Sequence, residues 1–268
     1  MKKTFAILLL FFITLTANAC SQTESIDNDT LIIGATPVPH SEILEFIRPL
    51  LSEQGYSLEI IEFTDYVLPN EALANEELDA NFFQHSPYLE SFNEANDTSL
   101  VAAFGVHFEP LGIYSSSHDD LTDIGMDASL ALPNDASNLS RSLLLLQHEG
   151  LITLTSEDKT LYSLLDIVNN PYDLSFAEVE AASIPSRIDD VDYAIINGNY
   201  ALNADILDLL IVSEDPDSDA AKTYGNIIAV KAGNENHPAI QTLKEILQSE
   251  DVRTFIEENY DVSVLPVF

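Results

Sequence analysis

The apolar positions of this chain fall into short runs of two periods. Leu31-Ile32-Ile33-Gly34-Ala35 is continuous and ends in glycine, as a strand buried on both faces does. The turn Thr36-Pro37-Val38-Pro39-His40 follows, and Ser41 stands where a helix cap belongs. Ile43, Leu44, Ile47, Leu50 and Leu51 then recur at helical spacing until Gly55 stops them. Residues 57–63 read as a second strand, so the order predicts a parallel pair with a helical crossover. The same logic predicts a helix over 68–78, a strand over 79–84 and a helix from Pro87 to about Asn96. The apolar run 100–114, broken by Gly105, Pro110 and Gly112, reads as one strand continuing into a crossing between two units.

The second half repeats the alternation. Strands are expected at 129–132, 151–154, 174–179, 191–196 and 227–230. Helices are expected at 139–148, capped by Asn138, and at 161–168, 201–210, 238–247 and 251–258. The apolar tail 262–268 must dock somewhere. The whole predicts an α/β protein of two lobes. Residues 31–114 plus 226–268 form the first and 115–225 the second, with two chain crossings near Tyr114 and Asn226 acting as a hinge.

The first residues leave the fold argument. Lys2 and Lys3 precede an apolar stretch over 5–15 that is too short to span a bilayer, and Ala17-Asn18-Ala19 supplies small residues at a cleavage position. Residues 1–19 read as a signal peptide. Cys20, the only cysteine, comes directly after it, which excludes an internal disulfide and suits acylation as a membrane anchor. Residues 20–30 are then a polar, flexible tether.

Charge narrows the partners. The chain carries 45 acidic against 10 basic residues, a net −35. Such a surface repels phosphate backbones and excludes nucleic acid as a partner. The acids are dispersed rather than arranged as a calcium loop, and adaptation to high salt is the expected reason for them. His107 and Glu109 are two possible metal ligands, but no partner cluster lies near them in the sequence, and neither a metal nor any other cofactor is expected. No GxSxG or other nucleophile motif marks an enzyme.

The stretch 64–90 holds the candidate binding chemistry. Tyr66, Phe82, Phe83, His85 and Tyr88 cluster at the ends of its short acidic helix. Taken alone these rings suit a core as well as a pocket. At the carboxyl end of a strand in an α/β sheet, however, they stand where ligands bind. Regular alternation assigns Phe82 to packing and Phe83 to the ligand. Arg141 is predicted in the first turn of its helix, where the dipole disfavours a cation; a surface salt bridge or a fork for a ligand carboxylate would each explain it. Asn197-Gly198-Asn199 ends a buried strand as a polar tip or an ordinary turn.

These segments resemble the MetQ/NlpA family of methionine-binding lipoproteins of bacterial ABC importers. The resemblance is carried by GATPVPHSEILEF from Gly34, EFTDYVLPNEALANEELDANFFQHSPYLESFN from Glu62, VHFEPLGIYS from Val106, ALPNDASNLSRSLLLLQ from Ala131, EVEAASIPSRIDDVDYAIINGNYAL from Glu178 and NIIAV from Asn226. It implies a periplasmic-binding-protein type II fold whose two lobes close on L-methionine and deliver it to a membrane permease with its ATPase. It implies that Arg141 holds the ligand carboxylate, that Asn197 and Asn226 hold its backbone polar groups, and that Tyr66, Phe83, His85 and Tyr88 wall the thioether. Asn199 departs from many members. A related ligand, such as D-methionine, a methionine-containing dipeptide or another apolar amino acid, is the alternative. The protein would be lipid-anchored on the extracytoplasmic face of the cell membrane.

Overall fold

The computed structural model describes residues 29–218 and 222–268, so the expectations for the signal segment, Cys20 and most of the tether lie outside the described residues. Two sheets organise the chain. The first is built from β1 (Thr30–Ala35), β2 (Ser57–Glu62), β3 (Ala80–His85), β4 (Leu100–Phe108), β12 (Asn226–Lys231) and β13 (Leu265–Pro266), in the order β13-β4-β12-β3-β1-β2. The second is built from β5 (Gly112–Tyr114), β6 (Ser129–Pro133), β9 (Ser175–Val179), β10 (Tyr193–Ile196) and β11 (Leu210–Ser213), in the order β11-β5-β10-β6-β9. Between β6 and β9 in sequence, β7 (Thr153–Leu154) and β8 (Ile167–Asn169) make a small antiparallel pair.

The first sheet follows from its sequence. β1 and β2 pair in parallel across helix α1 (Glu42–Glu53), which buries Ile43, Leu44, Ile47 and Leu51 on one face. Gly55 ends the helix region at φ +89, a conformation glycine adopts without penalty. Ser41 makes no capping bond to that helix; its hydroxyl donates instead to Glu62 at 2.7 Å. Helices α6 (Pro238–Leu247) and α7 (Glu250–Tyr260) add Leu243, Leu247, Val252 and Ile256 to the same core. The apolar tail docks as β13, pairing with β4 at the sheet edge. A separate core of Leu and Ile side chains lies in the second sheet's layer, packed against helix α4 (Ala136–His148).

Several elements differ from expectation for identifiable reasons. The run 100–114 is two strands. β4 ends at Phe108, and Gly112–Tyr114 joins the second sheet beside β10 and β11. The chain therefore leaves the first sheet across Glu109-Pro110-Leu111, where Pro110 cannot donate a ladder bond. Residues 161–168 form a short turn and β8 rather than a helix: Leu165 and Val168 point to solvent, so their apolar pattern has no interior to face. The helix expected over 201–210 is the shorter α5 (Gly198–Asn203), and Leu210–Ser213 becomes β11. Helix α2 (Leu68–Ala74) stops one turn early, and α3 (Ser86–Asn96) runs as expected.

Two features of β3 position the site. Its partner β12 sets Asn226 opposite His85, and on its other side opposite His107 of β4. Three polar side chains thus line up across three adjacent strands. Lower in the same ladder, Ile227 faces Gln84 while Ile228 faces Phe82, so Phe83 is an extra residue in a bulge. The bulge overrides simple alternation. Phe82 packs in the main core, while Phe83, Gln84 and His85 all face one cavity.

Candidate functional site

That cavity lies between the two sheets, walled by side chains from both. Tyr66, Phe83, His85, Tyr88, Arg141, Asn197 and Asn226 all line it, together with Gln84, Glu109, Asn138, Gly198 and Asn199. Strand β3 contributes Phe83 and His85, helix α3 Tyr88, and the loop before α2 Tyr66. Tyr66 meets Phe83 and Tyr88 with ring centroids 5.6 Å from each, and Phe83 lies 5.9 Å from Tyr88. Tyr66 also stacks on Tyr200 of α5 at 4.8 Å, and its hydroxyl donates to Asn199 at 2.5 Å. The tyrosine thereby ties the two halves of the wall together.

Asn138 organises the polar face. Its side-chain NH₂ donates to both oxygens of Asp135 at 3.0 Å, and Asp135 caps α4 by accepting from the Asn138 backbone at 2.9 Å. Its amide oxygen accepts from His85 Nε2 at 3.1 Å and from Asn197 at 2.9 Å. His85 Nδ1 in turn accepts from the Tyr88 backbone, which fixes the ring as the neutral Nε2–H tautomer. Burial holds His85 neutral, lowering its pKa from 6.5 to about 3. The remaining acceptor, Asn197 Oδ1, is buried and has no partner among the described residues. Such an atom is costly unless a donor reaches it.

Arg141 differs from expectation. The helix begins three residues earlier than predicted, with Asp135 rather than Asn138 as its cap, so Arg141 sits in the second turn and is not opposed by the end of the dipole. It is buried, and its carboxylate partner is half-buried. Nε donates to Glu214 at 2.8 Å, and Nη2 donates to the second Glu214 oxygen at 2.5 Å and to the Glu109 carbonyl at 2.9 Å. The guanidinium carbon lies 4.4 Å from the Tyr224 ring centre and 5.5 Å from that of Phe108. Among the described residues Nη1 has no hydrogen-bond partner.

Glu109 is the principal residue that sequence reasoning did not assign to the pocket. It is buried, and burial raises its carboxyl above the usual range, opposed by His40, the Asn199 backbone and Arg141. Gly198 makes room for it: a Cβ there would stand 2.8 Å from the Glu109 Cβ and 3.3 Å from Oε2. The sequence reading found no third ligating group near His107 and Glu109. The fold supplies one, His40, and the three ligating atoms lie within 4.8 Å of one another. His107 Nε2 sits 2.7 Å from Glu109 Oε1 and His40 Nε2 sits 3.2 Å from Asn226 Oδ1, so these ligating atoms are engaged in hydrogen bonds. The signal for Glu109 was an acid embedded in an apolar run, HFEPLGIY. Asn138 gave none, because a cap and a pocket amide look alike in sequence.

No helix among the described residues is long and apolar enough to cross a membrane. The chain is 39% identical to a methionine-binding lipoprotein, MetQ, of Bacillus subtilis strain 168, covering all of this chain and 99% of that one. It is 34% identical to the D-methionine-binding lipoprotein MetQ of Escherichia coli O157:H7, covering 93% and 92%. Among solved structures it resembles a nutrient-binding protein of Burkholderia cenocepacia bound to methionine, with TM-score 0.84, 37% identity and coverage of 89% and 100%. This likeness gives the two-sheet architecture its class, a two-lobed periplasmic-binding-protein type II fold. The NlpA lipoprotein family model matches residues 31–268, and with this geometry in place the chain belongs to the NlpA lipoprotein family.

Proposed function

We propose that this protein is the substrate-binding lipoprotein of an ABC importer, that it captures L-methionine between its lobes, and that it hands the amino acid to a permease and its ATPase. The observation that carries the reading is the pairing of opposite charges in one aromatic cavity, Arg141 and Glu109. A zwitterionic amino acid needs one cation for its carboxylate, one anion for its ammonium, and a polarizable wall for an apolar side chain. In this assignment the carboxylate meets the Nη1 edge of Arg141. The ammonium meets Glu109 and the unpartnered oxygen of Asn197, while Asn226 holds a further polar contact. Tyr66, Phe83, His85 and Tyr88 surround the thioether. The two sheets act as the cores of the two lobes, hinged where the chain crosses between them; the first crossing is at residues 109–111, so Gly112–Tyr114 goes with the second lobe and not with the first. The protein binds and releases without covalent chemistry, so it is not an enzyme.

A thermal-shift panel of L-methionine, D-methionine, a methionine dipeptide and leucine tests the ligand. Stabilisation grows as the logarithm of ligand over Kd and reaches about 2.7 kcal/mol at a hundredfold excess over Kd. L-methionine is expected to give the largest shift. D-methionine is the reading to set beside it, because a relative at 34% identity is named for that enantiomer. A larger shift with D-methionine would exchange the two, and no shift with either would refute the assignment. The same reading places Cys20 as the acylated anchor at the extracytoplasmic face of the membrane. Cys20→Ala is expected to release the protein from the membrane fraction, and retention there would refute the anchor.

A further inference from the structure

His40 and His107 are fully buried, do not line the cavity, and stand directly behind Glu109. Their rings lie 4.9 Å apart, and both meet Phe82 edge-on, at 4.6 and 5.2 Å. His107 Nε2 is 2.7 Å from Glu109 Oε1. His40 Nε2 is 3.4 Å from the same oxygen and 3.2 Å from Asn226 Oδ1, while its Nδ1 is 2.7 Å from the Thr36 hydroxyl.

These contacts fix where the protons are. An amide oxygen and a carboxylate oxygen only accept, so Nε2 carries the hydrogen in both rings. Burial keeps His40 neutral, lowering its pKa from 6.5 to about 4, so its Nδ1 accepts from the Thr36 hydroxyl at 2.7 Å. His107 Nδ1 is buried with no partner among the described residues, so a hydrogen placed there would be a buried donor without an acceptor. Both rings are therefore neutral donors. A cationic ring in either place would cancel the Glu109 charge and repel an ammonium group.

We propose that His107 and His40 are positioning residues for amino-group recognition. His107 is the neutral N–H donor that holds Glu109 Oε1 at the back of the cavity, and His40, its Nε2–H on Asn226 Oδ1, stands 3.4 Å from the same oxygen. They leave Oε2, beside Gly198 of the cavity wall, for the ligand's ammonium, and His40 locks Asn226 to the same carboxylate. The inference rests on the reading of Glu109 as the ammonium partner. Its consequence is selectivity: the site prefers a free amino acid over the same molecule without its amino group. The charged or titratable groups facing Glu109 are His40, His107 and Arg141, with Tyr66, Tyr114 and Tyr260 at longer range.

Calorimetry with L-methionine and its desamino analogue, the methylthio-substituted butanoate, tests this on the wild type and on His107→Phe, His107→Gln and Glu109→Gln. The preference for methionine is expected to fall by about tenfold or more in His107→Phe, the loss of one hydrogen bond to a charged group. It is expected to survive in His107→Gln, whose amide N–H replaces Nε2–H. The acid side of the methionine affinity profile is expected to move to higher pH in His107→Phe. Equal weakening of both ligands with an unmoved acid limb would make the histidines merely structural and overturn the proposal. Loss of preference in Glu109→Gln but not in His107→Phe would overturn the positioning role alone. An unchanged preference in Glu109→Gln would overturn the reading of Glu109 beneath it.

Discussion

Arg141 and Glu214 illustrate how a buried residue carries two roles at once. Glu214 takes Nε and Nη2 of the guanidinium and also accepts from the Leu111 backbone at 2.9 Å, so it orients the fork. Arg141→Ala is expected to weaken methionine binding by about 2–5 kcal/mol, as when one partner of a buried charge pair is removed. The same substitution leaves the half-buried Glu214 without its cation and is expected to lower stability by about 3 kcal/mol or less. Calorimetry and urea unfolding separate the two losses, and near-normal binding would refute the carboxylate role. Phe83→Ala tests the wall. It is expected to weaken methionine more than alanine, because alanine has no side chain to reach that ring, and equal losses would argue against a side-chain wall. Tyr66→Ala is less clean, since Tyr66 also bonds Asn199 and stacks on Tyr200. Three buried histidines give the ligand-free protein a pH signature. Burial lowers His40 to about 4 and His85 and His107 to about 3, from 6.5. The unfolded chain therefore binds more protons than the folded one below 6.5, and stability falls as pH drops from there toward 4. Urea midpoints between pH 7.5 and 5, above the main titration of the many surface acids, are expected to show this fall. A flat profile would mean that the rings are not held neutral.

At the scale of elements, Asp135 shows a cap that doubles as a site support. It accepts the Asn138 backbone, the Ser137 hydroxyl and the Asn138 side chain. Asp135→Ala is expected to cost about 1–2 kcal/mol through the lost cap, measured by urea unfolding. It is also expected to weaken binding, because Asn138 then loses its orientation toward His85 and Asn197; unchanged affinity would separate the cap from the site. The same element shows what the sequence made legible. The helix over 136–148 was readable from its periodicity, but its start was not, because Asp135 and Asn138 are both good caps and only the fold chooses between them. β1, α1, β2 and α6 were readable because each has one strong period and a clear stop. β8 and β11 were not, since two- to four-residue edge strands carry too few positions to show alternation. The rings of 64–90 were legible as a cluster, and the cavity gathers them. Gln84 was missed because a bulge at Phe83 breaks the two-residue period. Glu109 was missed because its partners His40 and His107 lie 69 and 2 residues away, and only the ladder that sets Asn226 opposite His107 closes the gap.

The whole molecule carries its function on an unusually charged frame. A net −35 over 268 residues is far more than the few surface ion pairs offset; Arg48–Glu45 and Arg253–Glu250, for example, are exposed contacts within single helix turns. Exposed pairs of that kind contribute about 0–1 kcal/mol each. Repulsion among like charges acts over the Debye length, about 8 Å at physiological salt and about 3 Å at 1 M. Raising salt therefore removes repulsion between surface acids while screening the partly buried Arg141–Glu214 pair much less. Melting temperature is expected to rise steadily with sodium chloride up to about 1 M. The rise is expected to be matched by choline chloride, since screening does not depend on a cation-specific site. Methionine affinity is expected to change far less than stability over the same range, because its proposed charge partners are buried. A melting temperature that stayed flat in both salts would show that the acids are spaced widely enough not to repel. A rise in sodium but not in choline would replace general screening with bound cations.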